Sequence, residues 1–210
     1  MLPNAWDAGS DFPAIATTSA GIAWSCGVAD GEALDRDRML EHVGRIVAAV
    51  GGNLEDAGKG KLFGIDEAID RLAAARAAAP SDTFVLNART DTNFAGTSGD
   101  AFAETVERAV RYVEAGADCV FVPGVVEADT IRRLAASIPG PLNVVAGLAN
   151  LIDAPTLFSL GVKRVSLGGS LARAALSMVE RAGRELLDSG TLGFLDGAIG
   201  YADLQRRFGS

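Results

Sequence analysis

The chain has 210 residues, of which 49% are hydrophobic, 6% aromatic and 22% charged, with 25 glycines. That is enough for one well-buried domain and short for two, and the small-residue content suits helices packed closely on a sheet better than an all-β sandwich. The formal net charge is −8 with no cluster of Lys and Arg, which argues against nucleic acid and acidic membrane surfaces as partners but leaves room for a locally positive site that takes a small anion.

Short β-branched runs alternate with longer amphipathic stretches, the pattern of an α/β domain with a parallel sheet. In chain order, strands are expected over residues 2–6 and 13–18, then a helix over 35–50 and a strand over 52–55. A helix over 65–79 and a strand over 83–89 follow, then a helix over 101–115 and a strand over 118–122. The last units are a helix over 128–137, a strand over 142–146, a helix over 154–160, a strand over 164–167, and helices over 171–189 and 201–208. The punctuation is clearest around residue 100. Asp100 can cap a helix in which Phe102, Val106, Ala109, Val110 and Val113 recur at helical spacing, and Gly116 ends it.

Seven strands with their helices predict a TIM-type (β/α)8 barrel that is incomplete, because a closed one needs eight. Two joints are too tight for a full unit. Only residues 7–11 separate the first two strands, and the helix ending at 50 runs directly into 51–56; a parallel crossover needs a dozen residues or more. Both read as true shortening. The whole chain, 1–210, is expected to be a single barrel domain, with helices 171–189 and 201–208 as a candidate oligomerisation element. Cys26 and Cys119 are far apart and form no CxxC, so neither a disulfide framework nor a zinc site is expected. No charged leader precedes an apolar stretch and no run of 18 apolar residues occurs, which predicts a cytoplasmic protein without membrane insertion.

In a barrel, chemistry sits where strands end at the C-terminal face. Period-2 alternation through residues 84–91 places Val85, Asn87, Arg89 and Asp91 on one side and Phe84, Leu86 and Ala88 on the other. The apolar side must meet helices, so Asn87 and Arg89 face the interior and its mouth. An Arg there needs a carboxylate partner or an anionic ligand. Asn53 and Glu55 share a side opposite Leu54 in the same way. Glu55 could hold a hard cation through oxygen or pair with a lysine on the rim. Thr18, Ser19 and Ala20 end a strand in small residues, which suits either backbone amides approaching an anion or a tight turn. Asp30, before Gly31, is a rim acid or an ordinary turn residue. His42 is the only histidine and lies inside a predicted helix, which argues against Ser-His-Asp or Cys-His machinery. The cysteines read as core residues, and Gly168-Gly169-Ser170 as a packed turn or a phosphate seat.

Together the strings LPNAWDAGS (2–10), FPAIATTSAGIAWS (12–25), VADGE (28–32), NLED (53–56), FVLNARTDT (84–92), GADCVFVPG (116–124) and LGFLDGAIGYADL (192–204) resemble the isocitrate lyase/phosphoenolpyruvate mutase superfamily, in the family's order. The resemblance implies a (β/α)8 barrel whose last helix is swapped between subunits of a homo-oligomer. It also implies a Mg²⁺ ion at the mouth, chelated by a small 2-oxo or 2-hydroxy carboxylate, with lyase or mutase chemistry of the methylisocitrate lyase type passing through an enolate. By position, Thr18, Ser19 and Ala20 match the loop whose amides hold the substrate carboxylate. Asp30 and Glu55 match outer metal-site acids, and Arg89, with Asn87 beside it, matches the catalytic, substrate-binding arginine. Two family features are absent. One is the strand ending in Asp-x-Asp or Asp-x-Glu before Gly-Tyr-Gly, which carries the acids closest to the metal. The other is the gating loop with a catalytic cysteine, in whose place stand Ala57-Gly58-Lys59-Gly60-Lys61. Two expectations therefore stand side by side: a Mg²⁺-dependent enzyme, and a catalytically silent shortened scaffold.

Overall fold

The computed structural model describes residues 4–5, 16–17, 52–58, 60–78, 84–95, 99–147 and 151–208. Nine strands are described: β1 (Asn4–Ala5), β2 (Ala16–Thr17), β3 (Gly52–Glu55), β4 (Ala57–Gly58), β5 (Lys61–Leu62), β6 (Leu86–Arg89), β7 (Cys119–Phe121), β8 (Leu142–Val145) and β9 (Arg164–Ser166). The helices are α1 (Ile65–Ala78), α2 (Ala101–Glu114), α3 (Ala128–Ser137), α4 (Ala154–Ser159), α5 (Ser170–Asp188) and α6 (Tyr201–Phe208). The expected helix over 35–50 lies outside the described residues.

A parallel five-stranded sheet runs β3-β6-β7-β8-β9. β1 and β2 form a separate parallel pair, and β2 lies against β3. The five-stranded parallel sheet, with the β1-β2 pair beside it, forms an incomplete TIM-type barrel wall. The antiparallel hairpin β4-β5 is an addition: the run Ala57-Gly58-Lys59-Gly60-Lys61 reads as loop, yet Gly60, at φ +74°, makes the turn that pairs Gly58 with Lys61.

The two sides of the sheet differ as the alternation requires. Leu86 and Ala88 pack with Ala68 and Leu72 of α1 and Tyr112 of α2. Val120, Val122, Leu142, Val144 and Val165 pack with Ala109 of α2, Ile131 and Leu134 of α3 and Leu157 of α4. Each fully buried Leu or Ile in this layer contributes about 1.5–3 kcal/mol relative to exposure. On the inner side the same strands carry Asn87, Arg89, Cys119, Phe121, Asn143 and Ser166, a mostly polar set; Asn143 Nδ2 donates to Ser166 Oγ at 2.9 Å.

Helix ends are secured locally. Asp100 caps α2, its Oδ1 accepting from the Phe102 N–H at 2.9 Å. Gly116 leaves that helix at φ +100°, and a Cβ there would meet Arg76 Cγ at 3.1 Å. The Arg76 guanidinium forms an ion pair with Asp118 and donates from Nε to the Gly116 carbonyl at 2.9 Å, while Asp118 Oδ2 accepts from the Leu86 N–H at 2.7 Å. One polar knot thus fixes the entry of both β6 and β7. No helix among the described residues is long and apolar enough to cross a membrane.

α5 departs from this pattern. It is amphipathic in sequence, yet only Ala172 of its 19 residues is buried. Leu176, Val179, Leu186 and Leu187 are exposed, and so are Leu192, Leu195, Ile199 and Tyr201 after it.

Candidate functional site

The sheet brings Glu55 and Arg89 together because they are register partners at the C-terminal tips of adjacent strands, β3 and β6. Arg89 Nη1 lies 2.6 Å from Glu55 Oε1. The other edge of the same guanidinium meets Asp91, with Nη2 2.8 Å and Nε 2.9 Å from Oδ1. Beneath it the Phe121 ring of β7 has its centroid 5.8 Å from the guanidinium carbon, at the outer reach of a cation–π contact. Arg89 is therefore held by two carboxylates and an aromatic face. Nε and Nη2 converge on one Asp91 oxygen, a planar two-donor contact that arginine offers and lysine does not.

Asp91 is nearly buried, and burial pushes its carboxyl up from the ordinary value against the opposing pull of Arg89. Its backbone is fixed at both ends: its N–H donates to Asp56 Oδ1 at 2.9 Å, and its carbonyl accepts from the N–H groups of Phe94 and Ala95, both at 2.9 Å. Asp56 is 2% exposed and points to the helix side of β3. There its Oδ2 accepts from Tyr112 Oη at 2.6 Å and from Arg108 Nη1 at 3.3 Å. Burial, with Asp56 beside it, pushes the Tyr112 hydroxyl well above the usual tyrosine range. Arg108 also donates to the Phe63 carbonyl at 3.1 Å, and the Phe63 N–H donates to the Asp56 carbonyl at 2.8 Å. Asp56, Arg108 and Tyr112 thus bolt α2 to the rim and to the end of the β4-β5 hairpin.

Above the rim lies a cavity of about 330 Å³, walled by Glu55, Arg89 and Asp91 on one side and by Ala57, Gly58 and Phe94 of the hairpin and following turn on another. That volume suits a small ligand. Asn87, two residues below Arg89 on the same side of β6, is fully buried. Thr18, Ser19, Ala20 and Asp30 lie outside the described residues. Arg89 has the carboxylate partners that its inward position demands, and they are Glu55 and Asp91. Glu55 pairs with an arginine where a rim lysine was the simple alternative. The alternation left out Asp56, Arg108 and Tyr112. A signal for them exists: Asp56 shares the apolar side of β3 with Leu54, where an acid requires a buried partner, and Arg108 and Tyr112 stand four apart on α2, on one face.

Glu55 and Asp91 supply the hard oxygens that suit Mg²⁺, an ion commonly held by one or two protein carboxylates together with ligand oxygens and water. Among the described residues no group of three ligating side chains gathers, so any such site is open rather than a closed cage. Both carboxylates now face Arg89, and the donor set fits the ion once the guanidinium gives one of them up.

Two other sequence candidates resolve into packing. Gly168 takes φ +53° in the turn before α5, a conformation that favours glycine, and Ser170 Oγ donates to the Gly147 carbonyl at 3.2 Å. Cys119 is buried on the inner wall, and burial pushes its thiol up to about 11. At pH 8 only roughly one thiol in a thousand would then be the reactive thiolate. Alkylation of the native protein at pH 8 followed by peptide mass mapping is expected to leave Cys119 unmodified until the chain is unfolded. Native labelling as fast as in the unfolded chain would contradict its buried position.

The family model described as phosphoenolpyruvate phosphomutase matches residues 1–50 and 47–187. Its two matched stretches meet at the joint that has no room for a further strand and helix. An uncharacterized protein of Mycobacterium tuberculosis is 34% identical over an alignment of 245 residues, covering 99% of this chain and 91% of the relative. The alignment is longer than the 210-residue chain, so the relative carries residues that are absent here. The crystal structure of a protein from Burkholderia cenocepacia J2315, assigned as a lyase/mutase, superposes with a TM-score of 0.87 at 36% identity, covering 100% of this chain and 90% of that one. A phosphonopyruvate hydrolase solved with oxalate and Mg²⁺ shares the fold, with a TM-score of 0.80 at 23% identity over 99% of this chain and 89% of that one.

Proposed function

Because the chain belongs to the phosphoenolpyruvate phosphomutase family, we propose that its rim binds a small 2-oxo or 2-hydroxy carboxylate and that the protein is a Mg²⁺-dependent lyase or mutase of the enolate-forming type. The observation that carries this reading is the Glu55–Arg89 pair, 2.6 Å apart at adjacent strand tips beside a cavity of ligand size. A cation at Glu55 and Asp91, with Asp30 as a further candidate, would neutralise negative charge collecting on the ligand's 2-oxygen. The chain's own groups do the rest. The Arg89 fork takes the ligand carboxylate, the Phe121 ring keeps the guanidinium in plane, and the Ala57–Gly58 hairpin wall keeps the pocket small. The amides of Thr18, Ser19 and Ala20 are the proposed second grip on the anion, and Asn87 is the proposed polar floor.

A second reading, a catalytically silent scaffold, draws on one observation: Arg89 already pairs with two protein carboxylates. Calorimetric titration with oxalate, a planar dianion of the right shape, in the presence of Mg²⁺ separates the two. Binding in the micromolar-to-millimolar range is expected, and its absence at millimolar ligand would favour the scaffold. A homo-oligomer is proposed as well, supported by the unburied apolar residues of α5 and the segment after it, which a monomer would leave in water.

A further inference from the structure

Arg89 is the natural anion receptor of the rim, yet its Nη1 is engaged by Glu55 and its Nε–Nη2 edge by Asp91. An incoming carboxylate therefore meets a receptor already partly occupied by intramolecular copies of its own chemistry. We propose that Glu55 and Asp91 compete with anions for Arg89 and that a divalent cation, by drawing Glu55 away, relieves that competition, so that cation and anion each strengthen the binding of the other.

Exposure identifies Glu55 as the side chain that yields. It is 45% exposed at the cavity wall, whereas Asp91 is 7% exposed and tethered through its backbone to Asp56. A cation that takes the Glu55 carboxylate removes the contact at Nη1 while Asp91 keeps the fork aligned from the other edge. The freed edge then faces the cavity. Because coupling between two sites is reciprocal, the factor by which the cation strengthens anion binding equals the factor by which the anion strengthens cation binding. The proposal rests on the rim being an anion site, as argued above, and adds an internal competitor that sets the dependence on metal.

The test is calorimetry on the full chain with oxalate, in EDTA and in millimolar Mg²⁺, for the wild type, Glu55→Gln and Asp91→Asn. For the wild type, oxalate should bind tighter with Mg²⁺ by a factor of about 5–150, the usual span of such couplings. The decisive result has the opposite sign to the loss of a simple metal ligand. In EDTA, Glu55→Gln should bind oxalate more tightly than the wild type, and its dependence on Mg²⁺ should shrink. Asp91→Asn, with its backbone tether intact, should move EDTA affinity in the same direction. Weaker or unchanged oxalate binding in EDTA for the folded Glu55→Gln protein overturns the proposal. Equal wild-type affinity with and without Mg²⁺ overturns it too, while leaving the anion site standing. Absence of oxalate binding by the wild type even with Mg²⁺ removes the anion site itself, and the proposal with it.

Discussion

Replacing Arg89 with Met is expected to weaken Mg²⁺-dependent oxalate binding by about thirtyfold or more. Truncating one member of a hydrogen-bonded charge pair at a binding site costs about 2–5 kcal/mol, and the lower end applies because the Arg89 side chain keeps a quarter of its surface in water. The guanidinium is also in contact with both Glu55 and Asp91. Its removal takes away the positive charge that Glu55 and Asp91 now share, which disfavours an incoming anion further. Arg89→Lys should fall between the two proteins, since it restores charge without the two-pronged geometry that grips Asp91. The Met variant carries a stability signature as well. Burial already raises the folded-state pKa of Asp91, and loss of Arg89 raises it further. An acid whose folded pKa lies above its unfolded value costs stability as pH rises from the unfolded value through the folded one. The variant should thus lose more of its melting temperature at pH 8 than at pH 5, relative to wild type. Wild-type oxalate affinity in a folded Arg89→Met protein would reduce Arg89 to a rim strut.

Local features were readable where one physical rule acts over a few residues. The sidedness of β6 follows from Leu86 and Ala88 alternating with Asn87 and Arg89, and the structure covers the apolar pair with α1 and α2 as that alternation demands. α2 was readable because Asp100 and Gly116 bracket a helical period. What stayed hidden depends on residues distant in sequence. Asp56 finds Arg108 and Tyr112 across 52 and 56 residues, and no window over β3 contains them. Arg89 was readable as inward and in need of an anion, but whether that anion is Glu55, Asp91 or a ligand depends on the three-dimensional register. The apolar stripe of α5 reads as a buried face, and the structure leaves it in solvent. Periodicity specifies that a face must be covered; it does not specify by which chain. The family strings pointed to a barrel with one unit missing, and the two family-model stretches that meet at residues 47–50 agree with that placement.

The largest stability effect is expected at Asp56 rather than at the rim itself. Asp56→Ala removes the acceptor for the Tyr112 hydroxyl, for the Arg108 guanidinium and for the Asp91 N–H, all of them buried donors. Arg108 would retain Glu104, 3.0 Å away on its own helix, but that carboxylate is partly in water and cannot replace a partner that is 2% exposed. Breaking a buried pair by deleting one member costs about 3–5 kcal/mol, because the remaining charge is left uncompensated. For a chain of this size that corresponds to a fall in melting temperature of roughly 6–20 °C. Tyr112→Phe deletes the bond the hydroxyl donates to Asp56 and the longer one it accepts from Arg108 at 3.3 Å, but leaves the charge pair intact, so its cost should be smaller, about 1.5–3 kcal/mol, the range for bonds to charged groups. Restoring balance should also restore stability: Asp56→Leu combined with Arg108→Met removes both charges and should be more stable than Asp56→Ala. Thermal melts of the four proteins check the order. If Asp56→Ala melts within two or three degrees of wild type, the triad does not hold α2 to the rim. The double variant also isolates the link to the site. With stability recovered but the Asp91 N–H still lacking its acceptor, oxalate binding in the presence of Mg²⁺ should remain weaker than wild type, because the turn that aims Asp91, a proposed cation ligand, has lost its anchor.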